Sequence, residues 1–264
     1  MRFRCAWINV MKCKKIEGYP YLYETHTHSS ESSACGQNTA VEMAKAHKEA
    51  GYTGMILTNH NWGGNTAIDR SLPWDDFLDS FFEPYYQARQ WGEANDFQVF
   101  PAYEAGYDGT EFMIFGLEIE WMHEHPELWD ATVAEQFEIV HSGGGIVVHA
   151  HPFREAFYIK EIRLFPQYID GVEAVNATHS SPYAPSYKSR LDYNEKALKY
   201  AKELGMFITG GSDTHDVALF GGGMAFPTKL SDIHDFTDRL LHAKRDDYRV
   251  TDGALIFDAY GGKI

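Results

Sequence analysis

The sequence is poor in cysteine and in positive charge, and it has no long apolar run. Its three cysteines, Cys5, Cys13 and Cys35, are scattered and none forms C-x-x-C. That excludes a disulfide framework and a thioredoxin-type motif, and it fits a reducing, cytoplasmic setting. No stretch approaches the roughly 20 apolar residues of a membrane span, so no membrane partner is expected. The opening MRFRCAWINVMKCKK has a basic start, a short interrupted apolar run and no small-residue cleavage site. Residues 1–20 therefore read as an N-terminal extension rather than a signal peptide, and 21–264 as one domain. Lys and Arg total 23 against 38 Asp and Glu, a net charge of -15. A surface this acidic repels a nucleic-acid backbone, which argues against long nucleic acid as a partner. Internal repeats, low-complexity tracts and linkers rich in Pro, Gly and Ser are also missing.

What is present is core material: 44% of residues are hydrophobic and 15% aromatic. Short strand-like runs alternate with helical ones. YLYET (21–25), GMILTNH (54–60), FQVFPAYE (97–104), EFMIFGLEI (111–119), GIVVHAH (145–151), DGVEAVN (170–176), MFITGGSDTH (206–215) and ALIFDA (254–259) read as extended. Thr39 to Glu42 has the form of a capping box, opening a helix that stops near Gly51. Helical spacing recurs over 74–94, where Pro84 predicts a kink or break. It recurs again over 132–142, 187–204 and 231–242. This order predicts an α/β fold with a mainly parallel sheet. About seven strands in a chain of 264 residues favour a barrel of the (β/α) type, which runs to about 250 residues. The G-x-G-x-x-G fingerprint of an open dinucleotide-binding sheet is missing after the first strand.

The thirteen histidines carry the functional signal. His47, His141, His234 and His242 fall in or beside predicted helices, and His123 and His125 in a loop. The other seven, His26, His28, His60, His149, His151, His179 and His215, follow or end predicted strands, as do Glu104 and Asp213. In a parallel barrel those ends gather at one rim, where active sites are built. Residues i and i+2 of a strand share a face, so His26 with His28, and His149 with His151, are placed to point at one spot. Imidazole nitrogens and carboxylates converging there suit Zn, Mn or Fe.

The motifs HTHS (26–29), LTNHN (57–61), AYEAG (102–106), VVHAHP (147–152), GVEAVN (171–176) and GSDTH (211–215) occur in this order over roughly residues 21–216. In that order they resemble the PHP (polymerase and histidinol phosphatase) family of metal-dependent phosphoesterases. The resemblance implies a distorted seven-stranded (β/α) barrel, similar to a TIM barrel, holding two or three divalent metal ions. It implies a first metal on His26, His28, Glu104 and Asp213, with Glu104 bridging to a second that also uses His151, and a third on His60 and His215. Two positions depart from the family pattern. Asn59 stands where many members have Asp, as a residue that supports His60. Met113 stands where many have a histidine, which leaves the second metal to use His149 or a water. A further third-site ligand is expected just after H-x-H, among Glu31, Ser33, Cys35 and Gln37, with Glu31 the best donor chemically.

Such a cluster suits hydrolysis of a small soluble phosphate ester, because divalent ions bring the pKa of bound water from about 15.7 toward 7 and clamp phosphoryl oxygens. Arg154, three residues after His151, is placed to fork onto phosphate, and His179 with Asn176 is a pocket candidate. The Gly-rich TGGSDTH is not a P-loop, since it lacks the G-K-[ST] ending. Alternatives are a nuclease or nucleotide phosphodiesterase of the same family, a hydrolase of amides or esters, and a degenerate metal-binding module without catalysis.

Overall fold

The computed structural model describes residue 13 and residues 15–180, 191–218 and 221–264. Within them the chain runs β1 (Tyr21–Thr27), α1 (Ala40–Ala50), β2 (Gly54–Leu57), α2 (Trp74–Ala94), β3 (Gln98–Tyr107), β4 (Thr110–Phe115), α3 (Ile119–His123) and α4 (Val133–Ser142). It continues with β5 (Ile146–Ala150), β6 (Gly171–Asn176), α5 (Ala177–Ser180), α6 (Leu191–Leu204), β7 (Phe207–Gly211), β8 (Gly223–Phe226), α7 (Ile233–Leu241), β9 (Arg249–Thr251) and β10 (Ile256–Phe257). The expected helix start at 187–190, and most of the expected N-terminal extension, lie outside the described residues.

The strands form one ten-stranded sheet in the order β10-β9-β8-β1-β2-β3-β4-β5-β6-β7. The α/β class expected from the sequence holds, but the sheet is mixed rather than mainly parallel. β1-β2-β3 and β5-β6-β7 pair in parallel, whereas β4 is antiparallel to both neighbours and β8 to β1. For β4 the local cause is the tight β3–β4 hairpin. Its two turn residues, Asp108 (φ 46°) and Gly109 (φ 86°), both have positive φ, as a type I′ turn requires. β8 and β9 were not expected; both are very short. The predicted run 254–259 narrows to the two residues of β10.

The sheet curls so that the ends of β1 and β7 meet. Thr27 bridges Thr214, His28 N donates to Thr214 O at 3.0 Å, and Thr214 N to His26 O at 3.2 Å. Buried Glu24 fastens the same junction, its Oε1 accepting from Thr25 N, His26 N and Ser212 N.

The helices cover the sheet for reasons legible in their ends. Thr39 and Thr132 each form a full capping box, with Glu42 and Glu135, and Gly51 closes α1 in the left-handed conformation (φ 99°). Pro84 does not break α2, which runs unbroken through all 21 residues. An interior proline costs about 3 kcal/mol. Here the opposing gain is the buried face of Phe77, Leu78, Phe81, Phe82, Tyr85 and Ala88, at roughly 1.5–3 kcal/mol per large apolar side chain.

Gly222 sits where β8 enters against the end of β7. A Cβ there would lie 2.1 Å from Gly211 O, and Gly222 N donates to Ser212 Oγ at 2.8 Å. The atoms that Cβ would meet, Gly211 O, Gly211 C and Ser212 N, are all backbone, so the backbone must shift to admit a methyl group. Gly222→Ala is expected to destabilise the fold by about 1–3 kcal/mol, read as a lower midpoint in thermal or urea unfolding. An unchanged midpoint would contradict this packing.

Candidate metal centre

β1 delivers the first two ligand candidates. Its pairing with β2 shifts register between Glu24 and Thr27, an irregularity of the kind that re-aims side chains. His26 and His28 both turn inward, and their Nε2 atoms stand 3.1 Å apart. The orientation of each ring is fixed from behind. His26 Nδ1 lies 2.8 Å from Glu173 Oε1, and His28 Nδ1 lies 3.2 Å from Ser33 Oγ.

β3 places fully buried Glu104 at the centre. Its Oε1 is 3.0 Å from His151 Nε2 and 3.4 Å from His26 Nε2. Its Oε2 is 2.7 Å from His60 Nδ1 and 3.6 Å from His28 Nε2. Asp213, just past β7, comes within 3.5 Å of His26 Nε2 and 3.3 Å of His28 Nε2 through Oδ1. His215 follows it, its ring 4.3 Å from that of His28. The residues named from the sequence as first-metal ligands thus meet at one point, and His60, His151 and His215 adjoin them.

β5 separates two histidines expected to share a face. In the sheet His149 pairs with Phe112, and the adjacent Ala150 pairs with Glu111. His149 therefore shares the Phe112 face, not the Glu111 face. Its ring stacks on Phe112 at 4.9 Å, and burial pushes its pKa down to about 3. His151 would follow it, but the strand has ended. His151 takes φ 28° and swings to the site, where its N donates to Glu173 Oε2 at 3.2 Å. Asp213 also has positive φ, 51°. Such backbone costs roughly 1–3 kcal/mol per residue and persists only when the surroundings impose it.

Two site carboxylates escaped the sequence reading. Glu111 lies on β4 opposite Gly106, two pairs beyond Met113, which faces Glu104. Its oxygens approach His60 Nδ1 (3.8 Å) and His151 Nε2 (3.7 Å). So where Met113 supplies no hard donor, a carboxylate stands two residues earlier on the same face. Glu173, inside buried β6, holds His26, His151 N and Asn176 Nδ2 at once. The available signal was an acid inside an otherwise apolar strand, which is rarely buried unless paired.

Glu31 is a correction. Both its oxygens accept from Ala40 N, at 3.1 and 3.2 Å, because the start of α1 offers unpaired N–H groups to a nearby carboxylate. It is engaged there rather than with the histidines. Asn59 supports His60 only indirectly. Its Oδ1 accepts from Ser29 N and Ser33 Oγ, and that hydroxyl accepts from His60 N.

Arg154 and His179 line a cavity of about 1060 Å³ that opens over this cluster, together with His60, Glu111, Asp213 and His215. Arg154 pairs with Glu111, and its second nitrogen is 3.6 Å from Asp213 Oδ2. His179 is buried with its ring 6.2 Å from His151 and 5.1 Å from Tyr193, and its Nδ1 has no hydrogen-bond partner among the described residues. Burial, reinforced by the charge of His151, brings its pKa down to about 4.

The donor set fits divalent cations. His26, His28 and Glu104; His26, His151 and Asp213; His28, His60 and His215; and His60, Glu104 and Glu111 each offer ligand atoms within 4.8 Å of one another. His60 Nδ1 and Glu104 Oε2 lie 2.7 Å apart without a well-directed hydrogen bond. Burial opposes ionisation of Glu104 and Asp213, yet the imidazolium charge of His26 holds both well below the usual carboxylate range. Burial likewise opposes charge on His26, and Glu173, Asp213 and Glu104 together raise it.

Comparison with known proteins adds to this. A family model described as PHP-associated matches residues 192–244, the segment that carries Asp213 and His215. No curated protein matches the chain by sequence. Among solved structures, a two-domain protein from Bacteroides vulgatus, described as containing a predicted PHP-like metal-dependent phosphoesterase, superposes with a TM-score of 0.63 at 14% identity, over 91% of this chain and 67% of that one. PsfC from Pseudomonas syringae superposes with a TM-score of 0.54 at 16% identity, over 82% of this chain and 87% of its own. In sequence the chain resembles the PHP-associated family model over its C-terminal part, and in fold it resembles the PHP-like structure along nine tenths of its length.

Proposed function

We propose that this protein is a metal-dependent hydrolase of a small soluble phosphate ester, acting in a centre of two or three divalent ions. The observation that carries the reading is the meeting of Glu104 and Asp213 with His26 and His28 beneath a cavity walled by Arg154. Bound ions would supply a water ionised near neutral pH and positive charge for phosphoryl oxygens. His26, His28, Glu104 and Asp213 would hold one ion. Glu104, His151 and Glu111 would hold a second, and His60 with His215 a third.

The chain's own groups divide the remaining work. Glu173 takes the Nδ1 proton of His26 in a hydrogen bond and so leaves Nε2 as the ligand atom, the usual means by which a metal-binding imidazole is oriented. Arg154 now pairs with Glu111 and Asp213. Released from them, its planar guanidinium would fork onto two phosphate oxygens. His179, with its pKa near 4, is neutral at pH 7, so it would position a substrate oxygen by hydrogen bonding without adding charge. The cavity is at the upper end of the roughly 300–1,000 Å³ usual for small-molecule sites, which suits a small organic phosphate.

Protein reconstituted with Mn²⁺ or Zn²⁺ is expected to hydrolyse an aryl phosphate, and a chelator to abolish the activity. His26→Ala with His28→Ala should remove it, and Arg154→Ala should lower kcat by about 10²–10³ with Arg154→Lys recovering part. Activity unchanged in the double histidine variant would rule this centre out as the catalytic one. Glu173→Gln keeps the shape of the side chain but loses its charge. It is expected to weaken metal affinity by about 10–100-fold in a competition titration with a chromophoric chelator, and equal affinity would remove Glu173 from the role of orienting His26.

A further inference from the structure

Residues 151–170, which connect β5 to β6, contain neither helix nor strand. Connections of that kind longer than about 12–15 residues are uncommon in compact domains and are usually functional. This one is pinned. Arg154 N donates to His151 O and Ile159 N to Ala156 O, both at 2.9 Å. Ile159 packs over Gly109, where a Cβ would come within 3.1 Å of its Cγ1, and Arg163 donates to Tyr107 O. The segment is thereby fastened to the β3–β4 hairpin. The Ala156–Ile159 hydrogen bond closes a turn whose two central residues are Phe157 and Tyr158. Gly, Pro, Asn, Asp and Ser prevail at such positions. Here Phe157 is fully exposed and Tyr158 half-exposed, and both line the cavity over the metal centre. A lone exposed apolar side chain is ordinary. Two aromatic rings filling both corners of one turn at a cavity mouth are not, and departures from local rules of this kind gather at functional sites.

The two rings form a corner. Their centroids are 5.3 Å apart and their planes stand at 88°, so a third flat ring laid on the face of one meets the edge of the other. Stacked and edge-to-face contacts are the ones aromatic rings prefer. Arg154 stands next to this corner, its guanidinium carbon 6.0 Å from the centre of the Tyr158 ring. A phosphate gripped by Arg154 therefore sets its alcohol beside Phe157 and Tyr158. Charge restricts that alcohol further. Among the described residues lining the cavity, Arg154 is the lone arginine or lysine, and Asp108 and Asp216 stand there with the site carboxylates. A second anionic group on the substrate would meet like charge, which disfavours binding.

We propose that the Phe157–Tyr158 turn receives the alcohol portion of the substrate, and that this portion carries a flat, uncharged ring. The inference rests on the phosphate-ester reading given above and names the class of ester. Hydrolysis breaks the phosphorus–oxygen ester bond. The oxygen of water joins phosphorus, one of its protons goes to the released alcohol and the other stays with the phosphate. Phe157 and Tyr158 touch the part of the substrate that does not react, so they set which ester is chosen.

The test measures inorganic phosphate released from phenethyl, cyclohexylethyl and ethyl phosphate by full-length, metal-reconstituted protein. All three are esters of primary alcohols, so the phosphoryl chemistry is matched. The kcat/KM for the phenethyl ester should exceed that for the ethyl ester by about 5–150-fold, the range for one ring stacked on an aromatic side chain. It should exceed that for the cyclohexylethyl ester, which is apolar but not flat, by about 2–10-fold. Phe157→Ala should cut the phenethyl-to-ethyl ratio by about 5-fold or more, chiefly through KM, because the ring lies away from the phosphorus. Phe157→Tyr should retain the ratio. Tyr86→Ala, which removes an exposed ring on α2 outside the cavity, should also leave it as in the wild type. Equal kcat/KM for the phenethyl and ethyl esters, or a ratio that survives Phe157→Ala, would overturn the ring site and leave the phosphoesterase reading standing. A cyclohexylethyl ester as good as the phenethyl one would overturn the flat ring. A phenethyl ester with a carboxylate on its ring, hydrolysed equally well, would overturn the exclusion of a second anion. No release from any ester would overturn both readings. The wild-type rates decide even if a variant fails to fold.

Discussion

The structure depends on one electrostatic problem: four carboxylates, Glu104, Glu111, Glu173 and Asp213, stand together in or near the protein interior. Removing an ionised carboxylate from water costs several kcal/mol even after relaxation, and it is tolerated only with paired positive charge and hydrogen bonds. In the protein alone the positive charge comes from His26, His60 and Arg154, each drawn against these acids. Divalent ions would meet the same need with denser charge. The cluster is thus poised between two ways of neutralising the same oxygens, and that gives Arg154 two places to be.

The fold concentrates these groups by spending backbone regularity at strand ends. β1 changes register beside His26, β6 changes register just after Glu173, and His151 and Asp213 sit in left-handed backbone. A regular extended strand would have kept His151 on the face of His149, away from Glu104. Two buried acids counter the distortion. Glu24 joins β1 to the start of the Asp213 loop, and Glu173 grips both His26 and the backbone of His151. Neither lies where a substrate would sit, yet both determine where the ligand atoms are.

Much of this was legible in the sequence, and the gaps have physical causes. H-x-H, the histidine after Asn59, Glu104, His151 and the Asp213–His215 pair are local signals at strand ends, and the curled sheet brings them to one point. The capping box and the closing glycine of α1 are equally local. The antiparallel setting of β4 depends instead on one two-residue turn, and β8 and β9, which add the other antiparallel pairs, are too short to show a period. Glu111 and Glu173 were missed because their partners are distant in sequence: Glu111 meets Arg154 across β4 and a rim loop, and Glu173 meets His26 across 147 positions. Glu31 was misplaced for the converse reason. A strong local partner, the first N–H of α1, outcompetes a distant one. Pro84 was read as a kink or break, and the helix runs unbroken because a local rule ignores what the packed face of α2 contributes.

The central claim is that these side chains are arranged around cations rather than around one another. Anomalous diffraction from crystals grown with Mn²⁺ or Zn²⁺, recorded at the metal absorption edge, tests it most directly. The account predicts an anomalous peak among His26, His28, Glu104 and Asp213, with Arg154 turned away from Asp213. Crystals at saturating metal that show no peak there, with Arg154 still paired to Glu111 and Asp213, would contradict it.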